Sequence, residues 1–258
     1  MYIVHGFNYI NIIYSYYNLM TKKLYFNDMY GKEFDGRIEY IEGNKIILDK
    51  TLFYPTSGGQ PNDTGIIKNG DKLYNVIDVY KEGENIIHVL DNSDGLAVND
   101  QIHGKINWER RYIHMRYHTA VHIIDGVVDN NYDGQGFLTG GQIYDNKARV
   151  DFSFDAIDKQ LIENIIENAN KIVTKGLSVF QREMARDEAL KIPGLARTGP
   201  GMELIQKLDQ VRIIEIDNFD FQADGGTHVA NTREVGKIVI QKVENKGKGH
   251  KRLAFSLD

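Results

Sequence analysis

The sequence predicts an α+β chain, with a β-rich first half and a second half that alternates amphipathic helices with strands. Three observations carry this. From Leu24 to about Gly104, β-rich runs recur between short turn signals with no helical periodicity. From Trp108 to about Val128, and from Ala156 to Lys175, apolar residues recur at helical spacing. On the first of these helices His118 and His122 stand four apart, and a second four-residue pair, Asp224 and His228, follows a hundred residues later.

Composition narrows the class. The chain has 258 residues, 41% hydrophobic and 26% charged, which suits a soluble globular protein with ample material for a core. The net charge of −5 gives no global sign of nucleic-acid binding, so any such partner must be met by a local basic patch. There is no cysteine, which excludes disulfides, a thiolate zinc site and a cysteine nucleophile, and fits an intracellular protein.

Residues 1–20 are rich in Tyr, Ile and Asn, lack a basic leading region and are broken by polar residues. They read neither as a membrane span nor as a signal peptide. The reading adopted is an extension upstream of a true start at Met20, the alternative being an N-terminal strand or helix.

Phe34–Tyr40, Lys45–Leu48, Lys72–Tyr80 and Asn85–Leu90 are the expected strands of the first half. Turn signals stand at Glu42-Gly43-Asn44, Lys68-Asn69-Gly70-Asp71, Lys81-Glu82-Gly83 and Asn92-Ser93-Asp94-Gly95. Such spacing predicts a small antiparallel barrel or sandwich. Between the strands runs Thr51-Leu52-Phe53-Tyr54-Pro55-Thr56-Ser57-Gly58-Gly59-Gln60-Pro61-Asn62-Asp63-Thr64-Gly65, whose glycines let a loop approach a ligand and whose Ser57 and Gln60 can offer hydrogen bonds.

In the second half Asn107 is a suitable N-cap for the Trp108 helix, whose apolar stripe is Ile113, Tyr117, Val121, Ile124 and Val128. His118 and His122 flank that stripe. Gly134–Ile143 reads as a glycine-rich loop without the lysine spacing of a nucleotide-binding loop. Ala148–Phe152 reads as a strand, and Asp155 can cap the Ala156–Lys175 helix, with its stripe Ile157, Leu161, Ile165, Ala169 and Ile172 and with Gly176 at its C-terminal end. A shorter helix is expected over Arg182–Lys191, and strands over Val211–Ile216 and Gly236–Ile240. The tail Lys242–Arg252 is the one dense basic patch, and the place where a phosphate backbone would be held.

Positions i and i+4 of a helix share a face, so two imidazoles there can reach one small cation. A second pair from a distant segment would complete a roughly tetrahedral site of nitrogen and oxygen donors, as zinc favours, with one position open to water in a catalytic site. His114 and His118 are also four apart, and spacing alone does not choose between the two pairs. No Glu adjoins the histidines in the HExxH manner, so water activation by metal, by His or by a substrate hydroxyl all stay open.

Taken together, Phe53-Tyr54-Pro-x-Ser57-Gly58-Gly59-Gln60-Pro61-x-Asp63, Met115-Arg-x-His118-Thr-Ala-x-His122, Arg149-x-Asp151-Phe152, Gly225-Gly226-Thr227-His228-Val229 and Asn245-Lys-Gly-Lys resemble the editing domain of alanyl-tRNA synthetases. The chain is similar to the free-standing relatives of that domain, the AlaX proteins, in the form that keeps an N-terminal β domain. The resemblance runs from about Thr21 to the C-terminus, with the five motifs in order. It implies an antiparallel β-barrel domain over residues 21–105 and an α/β-sandwich editing domain over residues 106–258, with the HxxxH helix packed on an antiparallel sheet. It also implies hydrolysis of mischarged tRNA(Ala), chiefly Ser-tRNA with Gly-tRNA as a further candidate.

By the same resemblance His118, His122 and His228 are zinc ligands, one Zn2+ per chain. Where the family has Cys before Gly-Gly-Thr-His, this chain has Asp224, also a monoanion and a competent zinc ligand but a harder donor, which leaves another divalent metal as an alternative. The expected catalytic residues are Thr51, Gln60 and His118, with Thr51 meeting the seryl hydroxyl. Substrate contacts are expected from Thr51, Ser57, Gly58, Gly59, Gln60, Gln142, Lys246 and Lys248. The expected partner is the acceptor end of tRNA(Ala) carrying serine, met by a cytoplasmic monomer without membrane contact. Two other readings compete: a metal hydrolase of another small ester, and a non-catalytic tRNA-binding module with an altered metal site. Threonyl-tRNA editing is disfavoured, because the related threonyl domains lack the Ser57-Gly-Gly-Gln60 barrel.

Overall fold

Three hairpins of the first half share one device. β2 (Glu33–Glu42) and β3 (Lys45–Leu48) turn through Gly43-Asn44, β5 (Gly65–Asn69) and β6 (Lys72–Glu82) through Gly70-Asp71, and β6 and β7 (Asn85–Leu90) through Gly83-Glu84. Each turn opens on a glycine at positive φ (+57°, +55° and +60°), as two-residue hairpins require. The computed structural model describes residues 19–132, 135–155, 159–196 and 199–258, so the expected extension to residue 18 and the first three positions of the Ala156 helix lie outside the described residues.

With β8 (Gln101–Ile106) these strands form a closed six-stranded barrel in the order β2-β3-β7-β6-β5-β8, every pair antiparallel. The expected strands are present. The two unexpected ones, β5 and β8, are those that close the cylinder, and both carry a glycine that weakens a strand reading. A Cβ at Gly104 would fall 2.4 Å from the Phe34 ring, and one at Gly65 would fall 2.2 Å from the Lys105 carbonyl, so bare backbone is what lets the edges meet. Alternation along β2 turns Phe34 and Ile38 inward, where they join Ile46, Leu48, Phe53, Ile67, Val76, Val79, Ile86 and Leu90. A short parallel bridge joins β1 (Lys22–Lys23) to β4 (Lys50–Thr51).

Two polar pairings lie inside this unit. Arg111 and Asp63 form a fully buried ion pair, with Arg111 Nη2 also donating to the Leu52 carbonyl (2.6 Å) and the Tyr54 N–H donating to Asp63 (2.7 Å). His88 Nε2 meets Thr51 Oγ1 at 2.8 Å.

The chain divides into two compact units: residues up to Ser57 with Pro61–Arg111, and Gly58–Gln60 with Tyr112–Asp258. Helix α1 (Trp108–Asn131) starts where expected, its Arg110 N–H capped by the Asn107 side chain at 3.2 Å. Its burial is broader than one stripe: Met115, Ala120, Ile123 and Val127 are buried while the expected stripe members Ile113 and Val121 are only half-buried. A helix covered on several sides has no single apolar face for a period to reveal.

β9 (Leu138–Ile143) and β10 (Ala148–Phe152) follow, then α2 (Lys159–Lys175), which buries Ile162, Ile165, Ile166, Ala169, Ile172 and Val173 and ends at Gly176 (φ +69°). β9 corrects the loop reading of Gly134–Ile143: it pairs with β10 despite Gly140-Gly141, burying Leu138 and Ile143. β11 (Val179–Ala185) corrects part of the Arg182–Lys191 helix, since pairing with β12 draws Arg182–Ala185 into a strand and leaves only α3 (Arg186–Ala189) helical.

After α4 (Gly199–Lys207), β12 (Gln210–Ile216) lies between β11 and β13 (Asp220–Ala223) in a three-stranded antiparallel sheet. β14 (Ile238–Asn245) and β15 (Lys251–Leu257) complete a four-stranded antiparallel sheet, β14-β15-β10-β9. Tyr117 of α1 sets its ring 5.9 Å from that of Phe255 on β15.

Candidate metal centre

One turn of α1 separates His118 and His122, and both rings are buried. Asp224 follows β13 directly, and Arg212 of β12 clamps the loop by donating to the carbonyls of Asp224 (3.0 Å) and Gly226 (2.8 Å). Gly226 is required by space. A Cβ there would stand 2.1 Å from His118 Cε1, so any side chain would push the ring away. The clamped turn carries His228 to the same point, and one ligand atom from each of His118, His122, Asp224 and His228 lies within 4.8 Å of the others. Around Asp224 the separations are 3.0 Å to His228 Nε2, 3.5 Å to His118 Nε2 and 4.0 Å to His122 Nε2.

Each imidazole uses its other nitrogen elsewhere. His118 Nδ1 is 3.0 Å from Gln60 Oε1, an oxygen that also accepts the Thr227 N–H at 3.1 Å. Gln60 Nε2 donates to Thr227 Oγ1 at 2.9 Å, which fixes the amide so that its oxygen faces the ring. His122 Nδ1 is 3.2 Å from Asp220 Oδ2, and His228 Nδ1 is 3.2 Å from Thr119 Oγ1. With Nδ1–H donating to these oxygens, three Nε2 lone pairs and a carboxylate converge. That is a donor set fitted to a divalent cation, each ligand oriented by a hydrogen bond behind it.

Electrostatics favour the ligating form of His118, His228 and Asp224, and the protonated form of His122 in the absence of a cation. Burial pushes His118 down to about 4, and burial with the neighbouring His118 and His122 holds His228 well below its ordinary value, so both are neutral at pH 7. Burial opposes charge on Asp224 and on His122, and in both cases partners win. The histidines hold the Asp224 carboxyl well below the usual carboxylate range, while Asp220 and Asp224 raise His122.

His114, the rival in spacing, instead meets Asp145 Oδ1 at 2.9 Å. Gly59 arches beside β9 at φ +81°: its carbonyl accepts from Ile143 N–H (2.8 Å) and Gln142 Nε2 (3.1 Å), and a Cβ on it would strike the Gly141 carbonyl at 2.6 Å. Thr51 belongs to the barrel unit, buried, its hydroxyl bonded to His88 and to the Phe53 N–H (3.0 Å). Ser57 and Gly58 are exposed, as are Lys246 and Lys248 on the β14–β15 turn. Reading the sequence missed Asp220, Thr119, Thr227 and Arg212. Thr119 and Thr227 sit beside ligand histidines, which was a usable signal, whereas nothing local marks Asp220 or Arg212.

Fold and site thus define an α+β protein with a six-stranded barrel and a buried centre of three imidazoles and one carboxylate that could hold a metal ion. Among known families, the profile of tRNA synthetases class II (A) matches residues 10–110, and that of the threonyl and alanyl tRNA synthetase second additional domain matches residues 211–254. The chain is 43% identical over 242 residues to an alanyl-tRNA editing protein AlaX-M of Saccharolobus solfataricus, covering 92% of this chain and 99% of that one. It is 39% identical over 245 residues to the AlaX-M of Methanosarcina barkeri, with 92% and 99% covered. An alanine–tRNA ligase of Methanococcus aeolicus is 38% identical over 238 residues, where the match spans 92% of this chain and 25% of the ligase. The chain belongs to the alanyl-tRNA editing protein AlaX family.

Proposed function

We propose that this chain is a trans-editing deacylase that hydrolyses the ester of Ser-tRNA(Ala), with Gly-tRNA(Ala) as a second candidate substrate. The observation that carries the reading is the convergence of His118, His122, Asp224 and His228 in a chain whose relatives are named alanyl-tRNA editing proteins. An enzyme of this kind has a physical rationale. A pocket shaped for alanine rejects an added hydroxyl by only about a hundredfold, so a second site has to remove the error.

His118, His122, Asp224 and His228 would hold Zn2+, which when bound would supply Lewis-acid polarisation of the ester carbonyl or of a water. Gln60 keeps His118 in the tautomer that presents Nε2, and Thr227 holds Gln60 in turn. The Gly58-Gly59 backbone, Ser57 and Gln142 are the proposed contacts to the terminal adenosine and ester, and Lys246 and Lys248 to the phosphate backbone. For Thr51 to meet the seryl hydroxyl, its bond to His88 would have to open. We place the activity in the cytoplasm, in a monomer. No helix among the described residues is long and apolar enough to cross a membrane.

The test is metal analysis of the purified chain, followed by deacylation of Ser-tRNA(Ala), Gly-tRNA(Ala) and Ala-tRNA(Ala) with and without chelator. Bound zinc and chelator-sensitive release of serine are expected. Metal without hydrolysis would favour the non-catalytic tRNA-binding module, for which the Asp224 substitution is the specific motive. Release from small esters alone would favour a different hydrolase.

A further inference from the structure

Among the three histidines of the centre, only His122 is backed by a carboxylate, the other two leaning on a carboxamide and a hydroxyl. Its partner, Asp220, has a fully buried side chain held in a dedicated setting. Gln222 Nε2 donates to both of its oxygens, at 3.0 and 2.9 Å, so the carboxylate cannot rotate away from the ring. The β12–β13 turn that delivers it is fixed to the same helix as His122, through Asn130 Nδ2 donating to the Phe219 carbonyl at 3.1 Å.

Gly126, one turn beyond His122, makes the approach possible. A Cβ there would lie 2.8 Å from the Phe219 ring and 3.3 Å from Asp220 Cβ. Glycine is a poor helix former, and here it brings β13 close enough for a hydrogen bond to the ligand ring.

We propose that Asp220, held by Gln222 and admitted by Gly126, is a positioning residue that aims His122 Nε2 into the centre and sets its metal affinity. The proposal rests on the four-ligand reading above. A carboxylate behind an imidazole fixes the ring's orientation and makes the ligating nitrogen a stronger donor. The effect should matter more where the fourth ligand is the hard carboxylate of Asp224 than where it is a thiolate.

The experiment titrates the metal-stripped full chain with Zn2+ against a chromophoric chelator. Asp220→Asn keeps the shape and removes the charge, and should weaken zinc binding about 10- to 100-fold, with Asp220→Ala at least as weak. Gln222→Leu, which frees the carboxylate without removing it, should give a smaller loss in the same direction and serves if the Asp220 variants do not fold. Circular dichroism in excess chelator checks that each variant is folded, so a purely structural Asp220 predicts equal affinity in a folded chain. Equal zinc affinity in wild type and folded Asp220→Asn would overturn the proposal while leaving the centre intact. A wild-type chain that binds no zinc would overturn the four-ligand reading itself.

Discussion

The barrel unit and the C-terminal unit both bury histidine and carboxylate, and they use them in opposite ways. In the barrel the buried charge and the buried imidazole are tied to partners of the same unit: Asp63 is saturated by Arg111 and the Tyr54 N–H, and His88 Nε2 is tied to Thr51. In the C-terminal unit three Nε2 atoms point at one carboxylate, and the guanidinium of Arg212, 4.0 Å from Asp224, is occupied with carbonyls. The contrast teaches how to tell the two kinds of buried polar group apart. Closed donor–acceptor networks hold a fold together, whereas convergent acceptors are the mark of cation chemistry.

Substitutions in the two regions should therefore fail differently. The largest effect is expected for His118→Ala, which should take bound metal and deacylation to background together while the chain stays folded. A metal-free variant that still released serine from Ser-tRNA(Ala) would refute the assignment. Next comes Asp63→Ala, which leaves the Arg111 charge buried alone and should cost about 3–5 kcal/mol in urea unfolding, with metal per folded molecule unchanged. A loss under about 1 kcal/mol would mean that the barrel pair is not structural.

A pH effect follows in size. Burial pushes His88 down to about 4 from an ordinary 6.5, although the Ile46 and Ile86 carbonyls favour its charged form and its Nδ1 makes no hydrogen bond. The unfolded chain therefore binds a proton that the folded chain refuses. Stability from this residue is complete above pH 6.5 and falls as the pH drops toward 4, by up to about 3 kcal/mol. His88→Gln should flatten that part of the profile in urea titrations at pH 7, 5.5 and 4, and an unchanged slope would remove His88 as its source. The smallest effect is expected from Thr51→Val, which strips an acceptor from the Phe53 N–H and a partner from His88, at about 1–3 kcal/mol. Should Thr51 also meet the seryl hydroxyl, activity on Ser-tRNA per folded molecule will fall as well, and an equal rate would retire that role.

Much of this was legible beforehand, and the gaps have physical causes. Turns at Gly43, Gly70 and Gly83 announce themselves because positive φ is a local demand. β5, β8 and β9 did not, because Gly65, Gly104 and Gly140-Gly141 argue against strands until the backbones that need the room are in place. Arg182–Ala185 had helical composition, and pairing with β12 overrode it.

By itself the sequence determined the candidate ligands and their family, since i,i+4 spacing on a helix and an ordered set of motifs are properties of the chain read along its length. Only the tertiary structure decided that the barrel closes, that His114 turns to Asp145, and which nitrogen each ring presents. The ring orientations depend on hydrogen bonds spanning 58 residues for Gln60–His118, 98 for His122–Asp220 and 109 for Thr119–His228. The direction of a lone pair is set by what stands behind the ring, and no local spacing records it.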